Sequence, residues 1–145
     1  MSETRTAAGF VLAHIENGVA KYLLMRSSSH GNWLPPKGHA DPEDTGPLQT
    51  ARRELEEETG ISQVTPVEGF TGTIEYDVDT ERGKYHKRVD YMLAATDESN
   101  VQRSPEHSDH GWFTLNDALQ KIPFEQMREV LRAADAHLRT AGLIQ

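Results

Sequence analysis

The sequence predicts an α+β domain, a β-rich mixed sheet flanked by helices, and three observations carry that reading. Apolar, β-branched or alternating runs recur at Thr6–Ile15, Val19–Met25, Val67–Val78 and Tyr85–Thr96. Turn signals at Asn17-Gly18 and around Gly83 divide these runs into pairs. Two other stretches, one after Gly38 and one at the C-terminus, space their apolar residues with the period of a helix.

Thr6–Ile15 (TAAGFVLAHI) is small and apolar and ends at Glu16-Asn17-Gly18. Asn17-Gly18 supplies a hairpin turn, and Val19–Met25 (VAKYLLM) is the return strand. Ser27–Gly31 (SSSHG) is a loop. Trp33–His39 is punctuated by Pro35, Pro36 and Gly38 and cannot form regular helix. DPEDTG, from Asp41 to Gly46, is a turn, and Pro47 opens a helix capped near Thr45 or Gly46. Leu48, Ala51 and Leu55 are expected to form its buried stripe, with the glutamates largely off that stripe. Gly60 stops the helix and Ile61 packs back on it. In Phe70-x-Gly72-x-Ile74-x-Tyr76-x-Val78 the alternation marks one arm of a long hairpin. The turn spans Asp79–Lys84 and the second arm Tyr85–Thr96. His110–Thr114 is expected to form a short strand. Thr114-x-x-Asp117 caps a short helix. Met127, Val130, Leu131, Ala134 and Leu138 stripe a C-terminal amphipathic helix.

At 145 residues the chain suits a single domain over 1–145, and 36% hydrophobic content argues against global disorder. A net charge of −8 makes the chain a poor candidate for nonspecific duplex binding, which needs a basic footprint, so no stable nucleic-acid partner is expected. An anionic substrate would need local basic groups or metal ions to mask repulsion. With no cysteine, disulfide and thiolate chemistry are excluded. The start lacks a basic-then-apolar leader, and no apolar run approaches the ~20 residues of a membrane span. A cytoplasmic protein without a membrane partner is expected. Oligomeric state has no signal in the sequence.

The chemistry concentrates in Glu54, Glu57 and Glu58, at positions i, i+3 and i+4 of the first helix. Three carboxylates on one face repel each other. As a bland alternative, they form a solvated charged face partly neutralised by Arg52 and Arg53, the latter reaching Glu57 at i+4. A divalent cation is the other way to offset the repulsion, and hard oxygen ligands suit Mg²⁺, Mn²⁺ or Ca²⁺.

Taken together, Gly38 and the run Arg53-Glu54-Leu55-Glu56-Glu57-Glu58-Thr59-Gly60-Ile61 resemble the Nudix box, G-x5-E-x7-R-E-U-x-E-E-x-G-U with U apolar. The second half fits at every specified position. The first half departs: Asp44 follows Gly38 at the glutamate's spacing, and eight residues rather than seven precede Arg53. Glu43 or Asp44 must stand in for the first glutamate, with no ligand role assigned to either. The resemblance implies a Nudix hydrolase, an α/β/α sandwich whose loop–helix–loop holds metal. It implies Mg²⁺, with Mn²⁺ as the alternative, on Glu54, Glu57, Glu58 and the Gly38 carbonyl, with Arg53 orienting the glutamates.

Within that family, Trp33-Leu34-Pro35-Pro36-Lys37-Gly38-His39, Tyr91-Met92-Leu93-Ala94, Ser104-Pro105-Glu106-His107 and Ile122-Pro123-Phe124-Glu125-Gln126-Met127 resemble the asymmetrical diadenosine tetraphosphate hydrolases. The implied reaction yields ATP and AMP by water attack on a bridge phosphate. By the same resemblance Glu57 and Glu58 serve catalysis, with Glu106 a rival to Glu58 as general base or an added metal ligand. Lys37, His39 and Lys87 lie along the phosphates. Tyr76 stacks on adenine, with Phe124 as a second ring. Lys84, His86 and Arg88 extend a basic strip around Lys87, or decorate a sheet edge with charge. Trp33 and Tyr91 are expected to be structural rings, and His107 and His110 loop or packing histidines. Other Nudix specificities stay open: RNA 5′-pyrophosphate, diphosphoinositol polyphosphate or nucleoside triphosphate. A non-catalytic Nudix-fold nucleotide-binding domain is the alternative of a different class.

Overall fold

The computed structural model describes residues 3–145. Strand β1 (Glu3–Glu16) returns through Asn17 and Gly18 into β2 (Val19–Ser27). Both turn residues have positive φ, 53° and 76°, as a twisted two-residue hairpin turn requires. Where the sequence forbade helix there are two very short strands, β3 (Trp33–Leu34) and β4 (Lys37–His39). Helix α1 (Pro47–Thr59) follows, then the hairpin of β5 (Thr65–Thr80) and β6 (Gly83–Ala95). Strand β7 (His107–Phe113), α2 (Leu115–Lys121) and α3 (Glu125–Thr140) complete the order.

These strands form one mixed seven-stranded sheet in the order β3-β2-β1-β6-β5, with β4 paired to β1 and β7 to β2. Strands β1 and β6 run parallel, Glu3 opposite Tyr85 through Ala13 opposite Ala95. β1 is shared between two antiparallel partners: Ala13–Glu16 pair with β2, and Ala7–Gly9 pair with β4. Beyond Tyr22, β2 pairs with β7 and β3 instead. The sheet therefore divides at one end, and the loop carrying Lys37, Gly38 and His39 fills the division.

Alternation along β1 sends side chains into two cores. Ala7, Val11 and Ala13 join Ile74, Val89 and Tyr91 with α2 and α3, through Ala118, Met127, Leu131 and Leu138. Ala8, Phe10 and Leu12 join Leu23 and Met25 with α1, through Ala51 and Leu55. The result is the α/β/α sandwich that the resemblance implied. Burying each large side chain of this kind contributes about 1.5–3 kcal/mol.

Helix α1 starts at Gly46 without a side-chain cap, Pro47 standing in its first turn, and ends at Gly60 in the left-handed conformation. The buried stripe is not the expected Leu48, Ala51 and Leu55. Leu48 is exposed, whereas Thr50, Ala51, Leu55, Glu58 and Thr59 are buried. The buried stripe is thus rotated toward Glu58, which lies on it rather than off it. Thr114 caps α2 by accepting the Asp117 N–H at 3.3 Å, and all five apolar positions expected along α3 are buried. No helix among the described residues is long and apolar enough to cross a membrane.

Candidate active site

Lys37, Gly38, His39, Glu54, Glu57, Glu58, Lys87 and Glu106 line one cavity of about 890 Å³ at the divided end of the sheet. Four elements bring them together. Strand β4 delivers residues 37–39, α1 the three glutamates, β6 Lys87, and the loop before β7 Glu106. Opposite them, Ser27–Ser29 and Asn32 complete the rim. That loop is fastened to the segment carrying Glu106, because the Ser28 N–H donates to the Glu106 carbonyl at 2.9 Å beside the pairing of Ser27 with His107.

Arg53 does not line the cavity; it stands behind it as a hub. Its NH2 donates to the His39 carbonyl and to Asp44 Oδ2, both at 3.0 Å, and its Nε to Asp44 Oδ1 at 3.3 Å. Its NH1 donates to Glu54 Oε1 at 3.0 Å and Glu57 Oε1 at 3.3 Å, the latter being the expected i+4 contact. Asp44 also accepts from the Thr50 hydroxyl at 2.7 Å and the Asp41 N–H at 2.8 Å. This resolves the choice between Glu43 and Asp44. Of the two, Asp44 is the acid bonded to Arg53, while Glu43 is exposed. The Arg53 guanidinium, the Asp41 N–H and the Thr50 hydroxyl hold the Asp44 carboxyl well below the usual carboxylate range.

Glu58 is the most unusual acid in the chain. Only 6% exposed, it is pushed up to about 8, first by burial and then by the neighbouring Glu54. Its Oε2 has no hydrogen-bond partner among the described residues. Burial also raises Glu54. Lys37 is lowered by burial, and Lys87 is pushed down to about 8 by burial and by Lys37 beside it. His39 is lowered by burial and by both lysines. The cavity therefore sets a buried, overcrowded carboxylate pair against a crowded ammonium pair.

Three features test whether a divalent cation fits. The donors are hard oxygens. The orphaned Glu58 oxygen is a buried acceptor with nothing to accept from. Gly38 packs so tightly on the Glu54 carboxylate that any Cβ there would overlap it. Among the described residues, however, no three His, Asp or Glu side chains are gathered at ligating distance. Glu54 and Glu57 each give an oxygen to Arg53 instead. The residues fit the cation in kind, as hard oxygen donors lining one cavity, with Glu57 exposed, but among the described residues they are not gathered at ligating distance.

Tyr76 and Phe124 lie outside this cavity, 37% and 47% exposed. Tyr76 is paired in register with Lys87, whose Nζ lies 6.0 Å from the ring centroid. A continuous path thus runs from Tyr76 over Lys87 to Lys37 and Glu58. The expected basic strip is corrected: its other members face acids of β5 and β6. Lys84 pairs with Asp79 at 3.7 Å, His86 with Asp77 and Glu75 at 2.9 and 3.0 Å, and Arg88 with Asp90 at 3.2 Å. Strand alternation points Lys87 to the opposite face, so it alone of these reaches the cavity.

Trp33 and Tyr91 are structural, Trp33 edge-on to Phe113 and Tyr91 fully buried. The sequence reads His107 as a loop or packing histidine. It lies 3.7 Å from Glu58 Oε1, with its Nδ1 3.2 Å from the Ser104 hydroxyl. Burial lowers it, so it stands neutral against Glu58 near pH 7. Only the fold brings it to the acid, since the two lie on separate elements.

A carboxylate-bearing helix facing a lysine-lined cleft on an α/β/α sandwich defines a hydrolase scaffold suited to polyanions. The NUDIX domain model matches residues 4–134. The chain is 38% identical over 127 residues to the mouse (Mus musculus) bis(5′-nucleosyl)-tetraphosphatase [asymmetrical], covering 84% of this chain and 83% of that protein. It is 36% identical over 136 residues to the Caenorhabditis elegans protein of that name, covering 91% and 95%. A solved C. elegans Ap4A hydrolase binary complex superimposes with a TM-score of 0.84 at 33% identity, covering 94% of this chain and 98% of that one. The chain belongs to the Nudix hydrolase family. Hydrolases of this family generally depend on divalent metal.

Proposed function

We propose that the chain cleaves diadenosine tetraphosphate asymmetrically to ATP and AMP, with Mg²⁺ as its metal and Mn²⁺ as a substitute. The observation that carries this reading is the path from the exposed Tyr76 ring through Lys87 and Lys37 to Glu58. It offers, in order, a surface for a base, two cations for a phosphate chain and a carboxylate centre for hydrolysis. The mouse and C. elegans relatives bear the name of that activity, which supports the same substrate.

In this reading Tyr76 and Phe124 grip one adenine by stacking, and Lys37, His39 and Lys87 line up the polyphosphate. Glu54, Glu57 and Glu58, with the Gly38 carbonyl, are the groups that would hold Mg²⁺. Held there, such an ion would neutralise phosphate charge and make the attacking water more acidic. Arg53 keeps Glu54 and Glu57 aimed. A carboxylate, Glu58 or Glu106, takes the water proton as the oxygen adds to a bridge phosphorus. The phosphoanhydride P–O bond then breaks, leaving ATP and AMP. Glu58→Gln and Glu57→Gln are expected to lower kcat by about 10²–10⁴-fold. A smaller loss in Glu106→Gln would make Glu58 the base, and the reverse order would make it Glu106.

Product analysis tests the substrate. The panel is diadenosine tetraphosphate, a nucleoside triphosphate, ADP-ribose, a 5′-triphosphate RNA and a diphosphoinositol phosphate, each with Mg²⁺. ATP plus AMP from the first, at the highest kcat/KM, is the expected result. Two ADP, no turnover, or faster turnover of another member would overturn the reading.

A further inference from the structure

Strand β5 is the outer edge of the sheet, so every second residue turns its backbone N–H and C=O away from β6. At Glu75 both groups are met by one side chain. The Glu75 N–H donates to Gln126 Oε1 at 3.1 Å, and Gln126 Nε2 donates to the Glu75 carbonyl at 3.0 Å. The glutamine amide thus stands in for one peptide of a missing strand. Glu75 is next to Tyr76, and Gln126 is two residues beyond Phe124. Phe124 is itself fixed from behind: Ile122 is fully buried, and Arg128 donates to the Ile122 carbonyl at 2.7 Å and to the Phe124 carbonyl, through its N–H, at 3.1 Å. The reciprocal bond therefore ties the segment bearing one exposed ring to the strand bearing the other.

We infer that Gln126 is a positioning residue that sets the spacing between Tyr76 and Phe124 and so fixes the width of a nucleobase clamp. This rests on the proposed function, in which those two rings hold the base. The structure supplies its own control. His137, near the other end of α3, also ties the helix to β5, its Nε2 lying 2.8 Å from the Glu68 carbonyl. It stands eleven residues, or about 16 Å of helix, from Gln126 and so far from the rings. A purely structural tether would act alike at both ends; a positioning residue would not.

The experiment compares Gln126→Ala, Gln126→Glu, His137→Ala, Tyr76→Ala and Phe124→Ala. It measures kcat and KM for diadenosine tetraphosphate, and inhibition by ATP and by inorganic tripolyphosphate. Losing the reciprocal bond in Gln126→Ala should raise KM roughly three- to tenfold at nearly constant kcat. ATP inhibition should weaken by the same factor, and tripolyphosphate, which has no base, should bind unchanged. Gln126→Glu, which presents an oxygen to the Glu75 carbonyl, should behave as badly or worse. His137→Ala should leave KM unmoved. Unchanged KM in Gln126→Ala, or equal weakening of ATP and tripolyphosphate, overturns the inference. If Tyr76→Ala and Phe124→Ala raise KM while Gln126→Ala does not, only the positioning role fails. If neither ring matters, the base clamp fails and this inference with it.

Discussion

Glu58 shows how one residue can be kept in an unfavourable state. A buried carboxyl at about 8 binds a proton through a range where the unfolded chain, near the ordinary glutamate value of ~4.3, does not. Between those values the native state holds more protons, so metal-free stability falls as pH rises from about 5 to 8. Thermal melts in a chelator should show that slope. Glu58→Gln should flatten it and raise the metal-free melting temperature at pH 8. Saturating Mg²⁺ should flatten it in the unaltered chain, because an ion held by the ionised Glu58 would keep the native state from taking up the extra proton. A slope that persists in Glu58→Gln would remove Glu58 as its source. Lys87 behaves in the opposite sense. Lowered to about 8, it carries charge below that pH and loses it above. Since kcat/KM reports the free enzyme, its alkaline limb should fall near pH 8. Lys87→Arg, with a group charged beyond pH ~12, should remove that limb. An unmoved limb would assign it to another group.

The loop and helix from Gly38 to Gly60 act as one element because Arg53 binds them from within. Asp44, His39, Glu54 and Glu57 all meet that guanidinium, so loop and helix cannot shift independently. Asp44→Asn should therefore cost about 10–100-fold in activity or metal affinity although Asp44 lies outside the cavity lining. Its depressed value means that its contribution to stability is present above the ordinary aspartate range, ~3.9, and lost as pH falls below it. The acid unfolding limb of Asp44→Asn should accordingly be shallower, as a pH series of melts would show. Gly38→Ala should keep the fold and lose metal affinity by titration calorimetry, because the new methyl meets the Glu54 carboxylate. Much of this was legible in the sequence: periodicity located every long strand and all three helices. Spacing alone did not give the rotation of α1, where exposed Leu48 and buried Glu58 exchange the places that hydrophobicity suggests. It also missed β3 and β4, too short to carry a period. Nor could it show that β5 acids neutralise Lys84 and His86 but leave Lys87, since that depends on cross-strand register. His107 reaches Glu58 only through tertiary contact, and Gln126 reaches Glu75 across fifty-one residues.

At the scale of the whole molecule, a chain of net charge −8 must admit a polyanion. Most of that negative charge is spread over the surface, so it repels the substrate at long range. In the proposed function attraction comes from Lys37 and Lys87, half to wholly buried at the cavity wall. The two respond differently to salt. At ~0.15 M ionic strength the screening length is about 8 Å, which suppresses the diffuse repulsion but weakens close, partly buried contacts much less. A nucleic-acid-binding protein with a basic footprint behaves in reverse, losing affinity steeply as salt rises. Raising ionic strength from about 0.01 to 0.15 M at fixed, saturating Mg²⁺ should therefore raise kcat/KM for diadenosine tetraphosphate or leave it level. The gain should be largest below pH 8, while Lys87 stays charged. It should disappear in variants where exposed acids outside the cavity lining, such as Glu43, Glu56 and Asp79, are replaced by glutamine or asparagine. A steep fall with salt in the unaltered chain would mean that surface cations steer the substrate. The path over Lys87 and Lys37 would then not be its principal attraction.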